Sequence, residues 1–201
     1  MVIEGILTTE NADGSMHVSP IGPHVNAELT AWTLKPFQSS TTFRNLRDSS
    51  RAVFHVVDDP LLMACAVLGF CNPGEGATDS SAILGAELFR ELTEAKHETT
   101  IGWVLGLSCR SIGLSVAEWD VSAPRAIARC AMTKERQIRP FWGWNRARHS
   151  ILELAIVASR VPILDRREIE EEVNRHKIII EKTAGTRELA AWELLRKHLS
   201  Q

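Results

Sequence analysis

The sequence predicts an α+β fold, an antiparallel β-barrel with helices gathered at one end. Three observations predict it. Residues 1–140 hold all but one of the prolines and ten of the twelve glycines, which is the punctuation of short strands and tight turns. Asp13-Gly14 stands between two strand-like runs, where a reversal needs positive φ. Residues beyond 145 carry repeated helix-start signals and apolar residues at helical spacing.

Val2–Thr9 and Ser15–Ile21 make the first predicted hairpin. In the second run, Met16 and Val18 alternate with His17 and Ser19. A third strand is expected over Asn26–Leu34, and a fourth over Arg51–Val57, apolar enough to be buried on both sides. Between them, the second half of Lys35–Arg47 can form a short helix capped by a hydroxyl residue. Pro60–Leu68 reads as another short helix, and Asn72–Ser80 as a Gly-rich loop. Leu114–Val121 and Arg125–Lys134 read as two strands joined by Ser122-Ala123-Pro124.

The C-terminal part is expected to be helical. Asn145 can cap a helix whose body, Ile151–Ala158, is nearly all apolar. Asp165 and Glu168 have capping-box spacing, followed by Ile169, Val173, His176 and Ile180. Thr186 is expected to cap a last helix with Leu189, Trp192, Leu195 and Leu199 on one face.

The 23 basic and 25 acidic side chains give a net charge of -2, so nothing drives nucleic-acid binding. No signal peptide or membrane-length apolar run is legible. A cytoplasmic protein with no membrane partner is therefore expected. Cys65, Cys71, Cys109 and Cys130 form no C-x-x-C pair and read as buried, reduced thiols. No metal site is expected. His24, His55 and His97 have no partner at catalytic spacing, and Glu153 reads as paired or solvent-facing.

Three stretches carry candidate chemistry. Ser39-Ser40-Thr41-Thr42 sets four hydroxyls ahead of a helix start, with Arg44 and Asn45 in its first turn. Hydroxyls, unpaired amides and a guanidinium together suit a phosphate. The stretch also reads as an ordinary capped loop. Ser19-Pro20-Ile21-Gly22-Pro23 stiffens a strand end, and its glycine permits close approach to the backbone. A planar ring fits there, and so does a plain turn. Phe141-Trp142-Gly143-Trp144, flanked by Arg139 and Arg146, suits a flat conjugated ligand, a protein contact or a packing plug.

Taken together, these stretches resemble the uncharacterised domain-of-unknown-function family 447. The resemblance also rests on Lys35-Pro36-Phe37, Leu46, Asp58-Asp59, Pro140, Asn145-Arg146-Ala147 and Ile180-Glu181-Lys182-Thr183-Ala184-Gly185. It implies an antiparallel split β-barrel of the FMN-binding type with a C-terminal helical cluster. The barrel domain is then residues 1–140, and residues 141–201 form a helical subdomain packed on it. It further implies FMN as cofactor and a homodimer with flavin near the subunit interface. The wider group includes pyridoxamine-phosphate oxidases and flavin reductases. By this likeness Ser39, Ser40, Thr41, Thr42, Arg44 and Asn45 hold the ribityl phosphate. The ring lies near Pro20, Ile21 and Gly22, with Trp142 and Trp144 as an aromatic platform. The chain departs from the family pattern at Phe43, where tyrosine is expected, and at Trp142 and Trp144, where phenylalanine is expected. The implied function is an FMN-dependent oxidoreductase of unknown substrate. The alternative is a non-catalytic flavin or phosphorylated-ligand binding protein, linked to methanopterin-type one-carbon metabolism. No catalytic acid or base is legible.

Overall fold

A computed structural model describes residues 1–72 and 80–201. The chain divides into two compact units. The first comprises Met1–Val57 and Cys71–Pro140, and the second Asp58–Phe70 and Phe141–Gln201.

The first unit opens with strands β1 (Gly5–Glu10) and β2 (Met16–Ile21), antiparallel and in register from Gly5 opposite Ile21 to Glu10 opposite Met16. Asp13 Oδ1 accepts hydrogen bonds from both the amide and the hydroxyl of Ser15, and Gly14 takes φ +82°. This is the expected Asp-Gly reversal. Next come β3 (His24–Val25), β4 (Ala31–Leu34), helix α1 (Thr41–Ser49) and β5 (Arg51–Val56). The single strand expected over Asn26–Leu34 is instead a hairpin. Asn26 Oδ1 accepts from the amides of Thr30 and Ala31, and Leu29 adopts φ +56°. An Asn side chain thereby replaces the ladder with a turn.

The order of strands in the main sheet is β2-β1-β5-β8-β9-β4-β3, all antiparallel, with β8 spanning Arg110–Asp120 and β9 Ile127–Gln137. Its two end strands are consecutive in the chain, separated only by Gly22-Pro23. The N-terminal residues lie along that junction. Val2 bridges His24, Ile3 N donates to Pro23 O at 3.2 Å, and Val25 N to Met1 O at 2.8 Å. The sheet therefore curls into a half-barrel. Inside it Leu7, Trp32, Leu34, Leu46, Phe54, Ile112 and Leu114 are buried together, and Trp32 meets Phe54 at 5.2 Å between ring centroids. Leu46 belongs to α1, so one apolar side chain docks that helix onto the sheet.

Both long strands begin or end outside their expected ranges, β8 starting four residues early and β9 running on to Gln137. Between the expected elements lie α3 (Ser80–Leu84), α4 (Ala86–Thr93) and a hairpin of β6 (Ala95–Glu98) and β7 (Gly102–Leu105). Most of the Gly-rich loop expected at Asn72–Ser80 falls outside the described residues.

The second unit holds α2 (Pro60–Val67), α5 (Arg146–Ala158), α6 (Arg166–Thr183) and α7 (Thr186–Leu199). Asp59 caps α2 by accepting from Leu62 N, and Pro60 fills its first position. Asn145 caps α5, and Asp165 with Glu168 forms the capping box of α6, as the spacing predicts. On α7 the capping position is Gly185 rather than Thr186, with Gly185 N donating to Glu188 Oε2 at 2.9 Å. Trp192, Leu195 and Leu199 are buried as expected, but Leu189 faces solvent. Glu153 is exposed, the plain outcome for a charge in an apolar run. α2 packs against α5 and α7. All four cysteines are buried and none is in a disulfide.

Candidate functional site

The head of α1 is assembled by its own sequence. Ser40, in extended backbone, accepts from Phe43 N at 3.1 Å and donates to Phe37 O at 2.7 Å. One hydroxyl thus caps the helix and closes the turn before it. Helical geometry leaves the amides of Thr41 and Thr42 without intrahelical acceptors. Arg44 folds back over this end, donating to Ser39 O at 3.0 Å and Thr41 Oγ1 at 2.8 Å. No acidic residue stands in the first turn. A guanidinium, hydroxyls and helix-end amides therefore gather with no opposing carboxylate on that turn, the chemistry an anion requires.

The segment leading into this end is tied down. Ala126 N donates to Pro36 O at 3.0 Å and Gln38 N to Pro124 O at 3.1 Å. Gln38 Nε2 donates to Val121 O at 3.0 Å and Ala123 O at 2.7 Å. Arg125 donates to Lys35 O and lies over the Phe37 ring, 3.8 Å from its centroid. The β8–β9 turn thus braces the loop that carries Ser39 and Ser40.

Thr42 and Asn45 have a different placement from the outward hydroxyls. Thr42 is buried, and its Oγ1 donates to Ser19 Oγ at 2.9 Å. His17 Nε2 lies 3.2 Å from the same oxygen. With the threonine hydrogen on Ser19, this oxygen is an acceptor for His17 Nε2 in the tautomer that carries its proton there. Asn45 is buried one turn further on, its Nδ2 donating to Thr9 Oγ1 at 3.0 Å and Asn11 Oδ1 at 2.8 Å. Both side chains tie α1 to β1 and β2. Thr42 thereby brings the helix head beside the Ser19–Gly22 strand end. Phe43 meets Trp119 edge-on at 5.3 Å, with Arg47 over the same indole, so this ring packs onto β8.

Pro20 is exposed on edge strand β2, where a missing N–H leaves no ladder bond unmade. Ile21 is half-buried against the barrel core. A Cβ added at Gly22 would lie 2.8 Å from both Glu4 carboxylate oxygens and 2.9 Å from Val2 Cγ1. The close approach that this glycine permits is already made by the chain's own N-terminal segment.

Trp142 and Trp144 belong to the second unit and are 80% and 87% exposed. Trp144 is flanked by Phe141 at 6.2 Å and His149 at 5.1 Å. Trp142 N donates to Asp58 Oδ2 at 2.8 Å. Asp58 in turn faces Arg148 at 3.6 Å, and Arg148 Nε donates to Glu188 Oε1 at 2.8 Å. Burial pushes the Glu188 carboxyl up, but the bonds from Arg148 and the Gly185 amide outweigh it and hold the group below its usual range. Asp59 pairs with Arg187. Spacing did not reveal this network, because its members come from three separate stretches. The one local sign was Asp59 before Pro60, a helix-start signal. Among the described residues no cluster of His, Cys, Asp and Glu is grouped as a metal ion requires.

Two family models match the sequence, both described as protein of unknown function DUF447. The N-terminal domain model covers residues 3–104, and a second model covers residues 145–197. The chain belongs to the DUF447 family. Ser19–Asn45 falls inside the N-terminal match and the Arg148–Glu188 network largely inside the C-terminal one, whereas Trp142 and Trp144 lie between the two. No curated protein matches this DUF447 chain.

Among solved structures, an FMN-bound DUF447 protein from Methanosarcina mazei matches with TM-score 0.75 at 17% identity, over 98% of this chain and 94% of that one. Flavin reductase HpaC complexed with NADP+ matches with TM-score 0.52 at 14% identity, over 72% of this chain and 82% of its own. An FMN-binding protein from Thermus thermophilus, with bound 1-cyclohex-2-enone, gives TM-score 0.50 at 9% identity, over 68% and 70% of the two chains. The DUF447 fold here is the split barrel of these structures, with a C-terminal helical cluster.

Proposed function

We propose that this chain binds FMN with its phosphate at the head of α1 and works as a flavin-dependent oxidoreductase. The observation that carries this is Arg44 folded over a hydroxyl-capped helix start that lacks any acidic residue. The FMN-bound state of the Methanosarcina mazei DUF447 protein, similar over nearly the full length of both chains, supports it.

The residues divide the work. Arg44 offsets phosphate charge, while Ser39, Thr41 and the first amides of α1 donate to its oxygens. Ser40 keeps the helix end in shape. Thr42 and Asn45, turned inward, hold α1 against β1 and β2 and act on the cofactor through its position. The strand end at Pro20 and Ile21 is the surface for the ring, and Gly22 keeps Glu4 and Val2 beneath it. Bound FMN supplies the electron chemistry, and the protein supplies position and electrostatics.

Phe141, Trp142 and Trp144, exposed together, support a homodimer. Four buried cysteines outside any disulfide support a reducing, cytoplasmic setting.

The test is paired titration with FMN and riboflavin. Arg44→Ala is expected to weaken FMN by about 1.5–3 kcal/mol and riboflavin much less. Equal losses for both ligands would remove the phosphate from α1. Photoreduction without oxygen, followed by mixing with candidate acceptors, then tests turnover. Reoxidation no faster than that of free FMN would leave binding without an oxidoreductase.

A further inference from the structure

Between the two ends of the flavin site stands a hydroxyl that neither end uses. Ser19 lies on β2, half-buried, beside the head of α1. Its Oγ accepts from Thr42 Oγ1 at 2.9 Å, and the same threonine oxygen lies 3.2 Å from His17 Nε2. His17 and Thr42 are both buried. A serine hydroxyl carries one hydrogen and two lone pairs. Here one lone pair is taken, and the hydrogen goes to no acceptor among the described residues. Three polar groups therefore stand in a row, and the most exposed of them is the unfinished one. Each bond in such a row polarises the next, so the terminal O–H is a stronger donor than that of an isolated serine.

The place of Ser19 along the site decides what it meets. His17, Ser19 and Ile21 alternate with Val18 and Pro20, so these three share one face of β2. Thr42 belongs to the first turn of α1, the turn assigned to the phosphate, and Ile21 to the strand end assigned to the ring. Ser19 is one hydrogen bond from the first and two residues, roughly 7 Å of strand, from the second. What joins phosphate to ring in FMN is the ribityl arm, a row of hydroxyls on a saturated carbon chain. The phosphate has Arg44 and the helix amides for its donors, whereas a ribityl hydroxyl can accept the hydrogen that Ser19 has to give.

We propose that Ser19 reads the ribityl arm, donating its O–H to one of the hydroxyls there. Ser19 is then a specificity residue for flavins that carry this arm, and Thr42 and His17 are positioning residues that aim it. The proposal rests on the FMN reading given above.

The test is titration of Ser19→Ala with FMN, riboflavin and lumiflavin, which has a methyl group in place of the ribityl arm. Losses of roughly three- to tenfold are expected for FMN and riboflavin alike, with none for lumiflavin. Ser19→Thr keeps a hydroxyl and is expected to restore both affinities. Thr42→Val is expected to cost riboflavin less in the Ser19→Ala background than in the unaltered chain, because Thr42 acts through Ser19. The visible absorption band of bound FMN supplies an arm independent of lumiflavin affinity and of the folding of Thr42→Val. A bond to the saturated chain leaves that band unmoved in Ser19→Ala, and a bond to the ring shifts it. A loss confined to FMN would give Ser19 to the phosphate. An equal loss for lumiflavin, or a shifted band, would give it to the ring. Unchanged affinities would leave it a tie between strand and helix. Each of these overturns the proposal. Failure of the FMN reading shows differently: Arg44→Ala then costs FMN and riboflavin equally, or the unaltered chain binds neither, and the role of Ser19 falls with it.

Discussion

His55 is fully enclosed between β1, β5 and β7. Its Nδ1 faces Ile6 O at 3.3 Å, and its Nε2 accepts from Leu105 N at 3.2 Å. An imidazole that accepts at one nitrogen must be neutral, and burial lowers its pKa to about 4. Unfolded, it titrates near the ordinary value of about 6.5. Below that pH the unfolded chain takes up a proton that the folded chain refuses. The stability His55 contributes is therefore complete above pH ~6.5 and is lost as pH falls toward the folded value, by at most about 1.4 kcal/mol per pH unit. Urea midpoints measured between neutral pH and pH ~4 should show that slope. The His55 ring resonances should stay unshifted through the ordinary histidine range, and titration at the usual pH would contradict the enclosure. Burial acts on the thiols in the opposite sense, pushing Cys71 and Cys130 up to about 12. Neither should react with a thiol reagent at neutral pH until the chain unfolds. Gly5 sets a steric limit nearby, since a Cβ there would stand 2.5 Å from His55 O and from Phe54 Cζ. Gly5→Ala should cost about 1–3 kcal/mol of stability in denaturant titrations.

Helix α1 ends as deliberately as it begins. Ser50 closes it in the left-handed region at φ 56°, with its amide on Leu46 O and its carbonyl accepting from Val116 N. Glycine takes that backbone without strain, so Ser50→Gly should stabilise the protein by about 0.5–1 kcal/mol, read as a raised urea midpoint with unchanged slope. The same element marks what could be read from sequence. Its capping hydroxyl, its arginine and its apolar Leu46 announce a helix start, and the caps at Asn145, Asp165 and Asp59 are equally local. Each such signal lies within a few residues of what it specifies. What escaped reading depends on partners distant in the chain. The polar side of β2 looks solvent-facing by alternation, yet α1 covers it and joins buried His17 and Thr42 to half-buried Ser19. Asn45, adjacent to Arg44 in sequence, points to Thr9 and Asn11 instead of joining it. The close approach that Gly22 permits is made by Glu4 and Val2 of the N-terminal segment, residues that no local pattern ties to it. Asn26 turns an apparent strand into a hairpin because its side chain, not its backbone, supplies the acceptor. The β6–β7 hairpin carries Lys96, His97 and Glu98 in a row, which hides its pairing from any pattern of alternating apolar residues.

At the scale of the molecule, the unusual surface is the Phe141–Trp144 loop. A folded chain gains nothing from leaving two indoles almost wholly in water, and this loop does not leave them loose. Asp58 grips the Trp142 amide, and Gly143 takes φ +96° between the two rings. A loop held in shape while its aromatics stay exposed has the character of a preorganised contact surface, which loses little conformational entropy on association. The net charge of -2 is small enough that two copies repel each other weakly. If a second copy covers the loop, Trp142→Ala with Trp144→Ala should weaken association by about 2–4 kcal/mol for each ring that acts as a hot spot. Sedimentation at micromolar concentration should then show monomer where the unaltered chain shows dimer, with the thermal midpoint of the dilute protein little changed. Asp58→Asn makes the argument sharper. It keeps both rings but weakens the grip on the Trp142 amide and the pairing to Arg148, so a preorganised surface loses affinity and a merely sticky one does not. A dimer that survives both changes undiminished would mean that the two copies meet somewhere else, and the loop would have to be explained by a different ligand.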